Sequence, residues 1–195
     1  MQIIAEGAEA LIYSATLYGK EVLVKYRDPK RYRIKELDDN IRKTRTKKEA
    51  KLMVRALEAG VNVPEIIGVG ENEIYLAKID GRLLKDISIS SQLSRKSGEQ
   101  LAILHNAGIT HGDFTPANLI SKGNEVYLID FGLADSTPSG EERALDILLM
   151  KRQISARQYS DFASAYSRTA KSSKETIRRL AEIEERGRYQ SRTLD

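Results

Sequence analysis

His111-Gly112-Asp113-Phe114-Thr115-Pro116-Ala117-Asn118, followed by Tyr127-Leu128-Ile129-Asp130-Phe131-Gly132, is the stretch that decides how this chain is read. Within the 22 residues from 111 to 132 it places an aspartate, an asparagine five residues later, and a second aspartate behind an apolar strand. An Asx-type turn before Pro116 accounts for Asp113 alone, but leaves Asn118 and Asp130 unexplained. Carboxylate and amide oxygens are hard ligands of the kind magnesium prefers. A carboxylate that accepts a hydrogen bond from a hydroxyl or water orients that oxygen for attack. The spacing therefore predicts Asp113 as the orienting group and Asn118 and Asp130 as metal ligands.

This order is the layout of a kinase catalytic loop and its Asp-Phe-Gly turn, so an N-terminal lobe is expected to supply a lysine on a strand and a glutamate on a helix. Glu21 to Lys25 reads as a strand by its β-branched content, with a preceding strand from about Ala10 to Thr16 and Tyr18-Gly19-Lys20 as the turn between them. Lys25 sits at the strand position of a phosphate-binding lysine. From Ile41 to Leu57 the apolar residues Ala50, Met53, Val54 and Leu57 mark one buried face of a helix. Glu49 borders that face and is the expected partner of Lys25; a solvated strand-end lysine and a helix-surface glutamate are the competing readings of the two residues taken singly. Gly7, Ala8, Glu9 and Ala10 form a short loop between candidate strands and are the expected phosphate-covering residues, although a single glycine stands where the usual loop has three. After the strand Glu73 to Leu76, the backbone of Ala77, Lys78 and Ile79 is placed to meet an adenine, and Asp80-Gly81 marks a boundary. No P-loop segment is present. The expected fold is α+β and minimally bilobal: residues 1–79 form a lobe of antiparallel sheet plus one long helix, and residues 80–195 a reduced, mostly helical lobe.

Only 63 residues follow Gly132, and they hold no Ala-Pro-Glu motif. Helical patterns cover Glu141 to Ile154, Ala156 to Thr169 and Ser172 to Arg186. Gly112 replaces the arginine that in His-Arg-Asp kinases pairs with a phosphorylated activation loop. Control through such a loop is not expected, because both the phosphate-bearing segment and its cationic receptor are missing.

The His-Gly-Asp-Phe-Thr-Pro-Ala-Asn-Leu-Ile segment, Asp-Phe-Gly-Leu-Ala, the helix around Asp146 and the Glu-Arg-Gly-Arg run at 185 to 188 resemble the minimal kinase/ATPase of the KEOPS complex, the p53-related protein kinase family. The resemblance spans nearly the whole chain. It implies an enzyme that uses ATP with magnesium or manganese and hydrolyses ATP in support of a threonylcarbamoyl-transferase subunit, which modifies the adenosine next to the anticodon of certain tRNAs. It also implies serine phosphorylation of itself or of other proteins. The partners implied are that transferase subunit, the other KEOPS subunits and, through the complex, tRNA. By matching position, Lys25 and Glu49 are the nucleotide-lobe pair, Asp113 the catalytic aspartate, and Asn118 and Asp130 the metal ligands. The ending from Tyr189 to Asp195 is less basic than the family's tail.

Charge is unevenly spread. Between Lys25 and Arg55 there are 13 Lys or Arg against 5 Asp or Glu, in a chain whose net charge is only +4. Such asymmetry can attract nucleic acid, with a solvated helix face as the plainer reading. The Lys47, Lys48 and Lys51 face is the expected tRNA contact, without base-specific reading. There is no Cys, no secretory apolar segment and no run of membrane-spanning length, so a cytoplasmic protein without a membrane partner is expected. With two histidines and no cysteine a zinc site is not expected, and His111 is read as a brace of the catalytic loop. Two other classes share part of the pattern. A small-molecule phosphotransferase of the aminoglycoside-kinase type also lacks a lysine at the Thr115 position, but the region after Gly132 is short for an acceptor pocket. A non-catalytic nucleotide-binding scaffold has no chemical need for Lys25, Asp113, Asn118 and Asp130 together.

Overall fold

Alternating apolar and polar residues near the N-terminus fold as strands because each strand turns successive side chains to opposite faces. The computed structural model describes residues 2–7, 10–17, 19–136 and 138–192, with Gln2 and residues 187–192 described by backbone only. Strands β1 (Gln2–Glu6), β2 (Leu11–Leu17) and β3 (Lys20–Tyr26) are followed by helix α1 (Lys35–Glu58) and strands β4 (Ile66–Val69) and β5 (Glu73–Ala77). They form a five-stranded antiparallel sheet of order β1-β2-β3-β5-β4. β3 is central, and its residue Lys25 is paired with Ile12 on one side and Ile74 on the other. The period of two sends Val22 and Val24 into the core, while Leu23, Lys25 and, two residues on, Arg27 reach the other face, which lines a cleft.

Below this cleft lies a second, three-stranded sheet of β6 (Arg82–Leu83), β7 (Leu119–Lys122) and β8 (Glu125–Leu128). The remaining elements are helices: α2 (Ser91–Asn106), α3 (Gly140–Lys151), α4 (Ala156–Thr169) and α5 (Ser173–Arg192), with 3-10 turns at Leu84–Asp86 and, inside the catalytic loop, at Pro116–Asn118. This is a minimal kinase-like fold. One hydrophobic cluster runs through it from Leu52 and Met53 of α1, through Leu104, Phe114 and Leu128, to Phe162 and Leu180. Full burial of Phe114 and Phe162 contributes about 2–3 kcal/mol each by transfer from water.

The helix ends follow local chemistry. Ser139 and Ser155 each accept from the N–H three residues on, and the side chains of Glu142 and Gln158 return the bond, closing a capping box on α3 and on α4. Ser90 caps α2 in the same way from one side. α2 and α4 pack closely because Gly98 has no side chain: a Cβ there would lie 2.2 Å from the carbonyl oxygen of Phe162.

Several expectations need correction. α1 begins at Lys35, six residues before the expected start, and Val54 and Leu57 point to solvent at 42% and 50% exposure. The buried side of α1 is instead Asp38, Arg42, Thr46, Glu49, Ala50, Leu52, Met53 and Ala56. Its first half buries polar groups at helical spacing, so apolar periodicity detects only the second half. α3 stops at Lys151, before Ile154, and α5 continues to Arg192, beyond Arg186. α2, which the sequence reading left unassigned, supplies a large part of the core through Leu101, Ala102 and Leu104.

Candidate active site

The cleft between the two sheets has a volume of about 700 Å³. Ile12, Leu23, Leu76, Ile120 and Ile129 give it apolar walls, and Lys25, Glu49, Asn118 and Asp130 line it as well. An apolar slot with convergent charges suits a ligand with a flat base and an anion.

The charged cluster is built on β3, α1 and the Asp-Phe-Gly turn. Lys25 Nζ lies 2.6 Å from Glu49 Oε1 and 2.7 Å from Asp130 Oδ1. The second oxygen of Glu49 takes Arg27 Nη2 at 2.6 Å. Lys25, Arg27 and Glu49 are nearly sealed from water, whereas the Asp130 side chain is 53% exposed. Burial pushes the Asp130 carboxyl up, but the Lys25 ammonium and the Gly132 N–H more than offset this and leave it below its usual value. Asp130 holds a left-handed backbone, φ 62°, which costs a non-glycine residue about 1–2 kcal/mol and is kept where surrounding contacts enforce it.

The catalytic loop is held differently. Asp146 on α3 is 1% exposed, and its two oxygens accept the backbone N–H groups of His111 and Gly112, each at 2.8 Å. Asp146 Oδ2 also takes His105 Nε2 at 3.1 Å, and His105 Nδ1 lies 2.8 Å from the Tyr166 hydroxyl. A carboxylate can only accept, so the His105 proton sits on Nε2 and the tyrosine donates to Nδ1. Burial pushes the His105 pKa down, against the pull of Asp146, and pushes the Tyr166 phenol up to about 12. His111, fully buried, donates from Nε2 to the Ile129 carbonyl at 3.0 Å and so ties the loop to the strand before Asp130. Gly112 has φ 80°, and a Cβ on it would lie 2.3 Å from the Leu133 carbonyl oxygen. The residue that replaces the usual arginine is therefore one that the backbone path requires. Asn118 donates its amide hydrogens to the Asp113 carbonyl at 2.9 Å and carboxylate at 2.8 Å. That leaves the amide oxygen of Asn118 for a metal, and with the carboxylate of Asp130 it forms a hard oxygen donor set that fits magnesium.

Of the remaining expected residues, Gly7 and Ala10 line the cleft, and the Gly7 N–H donates to the Ala10 carbonyl at 2.9 Å. Ala8 and Glu9 lie outside the described residues. Ala77 and Ile79 line the cleft as well. The Ala77 N–H, however, is spent on the Glu65 carbonyl at 2.8 Å, so it has no donor to offer an adenine. Lys78 turns to Glu21 at 3.0 Å. Sequence reasoning missed Arg27, His105 and Tyr166. Arg27 had a legible signal, since it shares the strand parity of Leu23 and Lys25. His105 and Tyr166 had none, because their meeting joins residues 61 positions apart.

Comparison with known proteins shows the family and the fold. The RIO domain family matches residues 16–156. The chain is 37% identical to the KEOPS complex subunit Bud32 of Pyrococcus abyssi, covering 99% of this chain and 98% of that protein. It is 42% identical to a probable serine/threonine-protein kinase BUD32 homolog of Archaeoglobus fulgidus, over 89% and 91%. It is 41% identical to a probable bifunctional tRNA threonylcarbamoyladenosine biosynthesis protein of Methanosarcina mazei, where it spans 96% of its own length but 36% of that protein's. Among solved structures, WaaP in complex with acyl carrier protein superposes with a TM-score of 0.68 at 14% identity, over 96% of this chain and 88% of that one. The Rio2 kinase of Chaetomium thermophilum in its ADP/Mg2+-phosphoaspartate complex superposes with a TM-score of 0.60 at 18% identity, over 94% and 70%. These two likenesses concern the fold.

Proposed function

This chain belongs to the RIO domain family, among its Bud32-type atypical kinases, and from that premise we propose that it is an ATP-dependent phosphotransferase acting mainly as an ATPase in tRNA threonylcarbamoylation. The observation that carries the reading is that Lys25 of β3, Glu49 of α1, Asn118 of the catalytic loop and Asp130 of the Asp-Phe-Gly turn all line the cleft between the two sheets, with Asp113 bonded to Asn118. Residues 1–79 act as the nucleotide-covering lobe and residues 80–195 as the lobe that performs the chemistry.

The adenine would lie against the apolar side chains of Leu23 and Ile129, and the backbone of Ile79 would meet its edge. Lys25 leaves Asp130 for the α- and β-phosphates while Glu49 keeps it aimed. Asn118 and Asp130 would hold magnesium, which would neutralise charge on the phosphate oxygens. Asp113 accepts the hydrogen bond of the incoming water or serine hydroxyl and directs its oxygen toward the γ-phosphate. The Asp113 carboxylate is itself held by Asn118, so acceptor and metal site are coupled through a single amide.

The partner reading follows from the relatives' names: other KEOPS subunits, and tRNA through the complex. Lys47, Lys48 and Lys51 stand exposed on α1, with Lys48 paired across to Asp135 at 3.2 Å, a surface contact of little weight against a polyanion. Their triple substitution by glutamine is expected to lower tRNA affinity of the assembled complex and flatten its salt dependence. Unchanged affinity and slope remove that face from the interface.

Following γ-labelled ATP, with the chain alone and then with the threonylcarbamoyl-transferase subunit and tRNA, tests the main reading. Free phosphate that rises with the partner and requires Asp113 supports it. Label that accumulates on protein regardless of the partner makes the chain primarily a protein kinase.

A further inference from the structure

Leu23, Lys25 and Arg27 share one face of β3 and its continuation, so Arg27 enters the cleft beside the lysine. Its guanidinium is 4% exposed and lies 2.6 Å from Glu49 Oε2, while Lys25 holds Glu49 Oε1 at the same distance. A Cβ on Gly132 would stand 3.6 Å from Arg27 Nη2 and 3.8 Å from Lys25 Nζ, which puts both cations against the Asp-Phe-Gly turn. The Arg27 backbone is fixed on both sides. Its N–H donates to the Asn72 carbonyl at 2.9 Å, and its own carbonyl accepts from Arg42 of α1 at 3.4 Å. Arg42 is held in turn by Asp38, one helical turn earlier, at 2.7 Å.

We propose that Arg27 is a positioning residue that locks Glu49, and with it α1, in the Lys25-paired orientation throughout the reaction. This rests on the nucleotide-binding reading of the cleft. Among the described residues, the cations Lys25 and Arg27 face the anions Glu49 and Asp130. When phosphate claims Lys25 and metal claims Asp130, Glu49 is left as a buried carboxylate sharing its lysine with the nucleotide. A buried carboxylate that loses its counter-charge is costly and tends to move or protonate. Arg27 prevents this, because a guanidinium stays charged and its fork fixes direction as well as charge. In kinases with an activation loop, phosphorylation of that loop helps set the helix that carries the glutamate. Here seven residues separate Gly132 from α3, and Arg27 sets the helix from within the strand.

The test compares wild type, Arg27→Met, Arg27→Lys and Glu49→Gln, singly and as the double variant Arg27→Met/Glu49→Gln, on the full chain. Amide hydrogen exchange is read over residues 46–53 of α1, with residues 111–118 as the internal control, together with ATP turnover. Arg27→Met is expected to speed exchange over 46–53 at least tenfold and leave 111–118 unchanged. It should lower kcat about 30-fold with KM for ATP moved less than threefold, within the ~100-fold that misplacement of about 1 Å can cost. Arg27→Lys should recover part of both losses, and Arg27→Met should add less than twofold in the Glu49→Gln background. Unchanged exchange over 46–53, full additivity with Glu49→Gln, or a loss confined to KM would overturn the proposal, the last because it marks a direct phosphate contact. Should Arg27→Met fail to fold, Arg27→Lys is judged by the same exchange measurement. A wild type without turnover even with the transferase subunit and tRNA present would count against the nucleotide-binding reading, while the exchange data still decide the role of Arg27.

Discussion

The two ends of the active site are held by opposite means. At the nucleotide end, charges are paired with charges: Lys25 is shared between Glu49 and Asp130, and Glu49 between Lys25 and Arg27. Under the catalytic loop, a single buried carboxylate, Asp146, is paired with two backbone N–H groups and a neutral histidine. The first arrangement can exchange partners, because a half-exposed Asp130 can leave Lys25 at modest cost once a metal and a phosphate replace each of them. The second cannot, since two of the donors on Asp146, His105 and the His111 N–H, are buried and would be left without an acceptor. The difference teaches where this fold permits motion. The residues that must meet a ligand are held by interchangeable charges, and the loop that must aim Asp113 is held by bonds that nothing replaces.

Four predictions test that contrast. The largest effect belongs to the aimed group itself. Asp113→Ala should lower ATP turnover about 10³-fold while sparing magnesium-ATP binding, whereas Asp130→Ala should weaken metal-dependent binding as well. Equal turnover in Asp113→Ala and wild type, read as released phosphate, removes the catalytic assignment. Next, Asp146→Ala strands the His111 and Gly112 N–H groups and His105 together. A loss of about 3 kcal/mol in unfolding free energy is expected by urea titration; a change below about 1 kcal/mol would show that the loop is held by something else. Gly112→Ala adds a Cβ where the Leu133 carbonyl stands and forces a positive φ on alanine. It should destabilise by about 2 kcal/mol and depress turnover more than nucleotide affinity.

The smallest effect is the pH dependence, and it separates the two ends. His105 has its pKa lowered below the ordinary 6.5 by burial, so the unfolded chain binds its proton more readily than the native one. Its contribution to stability is therefore complete above about pH 6.5 and is lost as pH falls from there toward the native value. Asp130 is also lowered, from 3.8, so its contribution is lost only in the more acidic range below that value. Urea midpoints between pH 5 and 7.5 should fall on acidification in wild type and fall less in His105→Gln. A flat wild-type profile in this range would mean that His105 is not held neutral.

How legible the site was in the sequence follows the same division. Asp113, Asn118 and Asp130 lie within one short stretch, and Lys25 lies in a strand whose β-branched pattern is local, so spacing along the chain located them. Glu49 was legible because it borders Ala50 and Met53. The extent of α1 was not, because Asp38, Arg42 and Thr46 are buried on its inner side through ion pairs and packing that polar residues do not announce. That the Ala77 N–H is already taken was not legible for a related reason: Glu65, whose carbonyl accepts it, comes from a segment 12 residues away.

Local pattern alone indicated the catalytic loop, the Asp-Phe-Gly turn, the strand that carries Lys25 and the three helices after Gly132, because periodicity, turn chemistry and motif spacing are properties of neighbours along the chain. Only the tertiary structure decided that Arg27 joins Lys25 on Glu49, that Asp146 suspends the loop from α3, and that burial lowers the His105 pKa against the pull of Asp146. Each of these depends on which buried groups are brought together from distant segments and on the cost of leaving any one of them unpaired away from water.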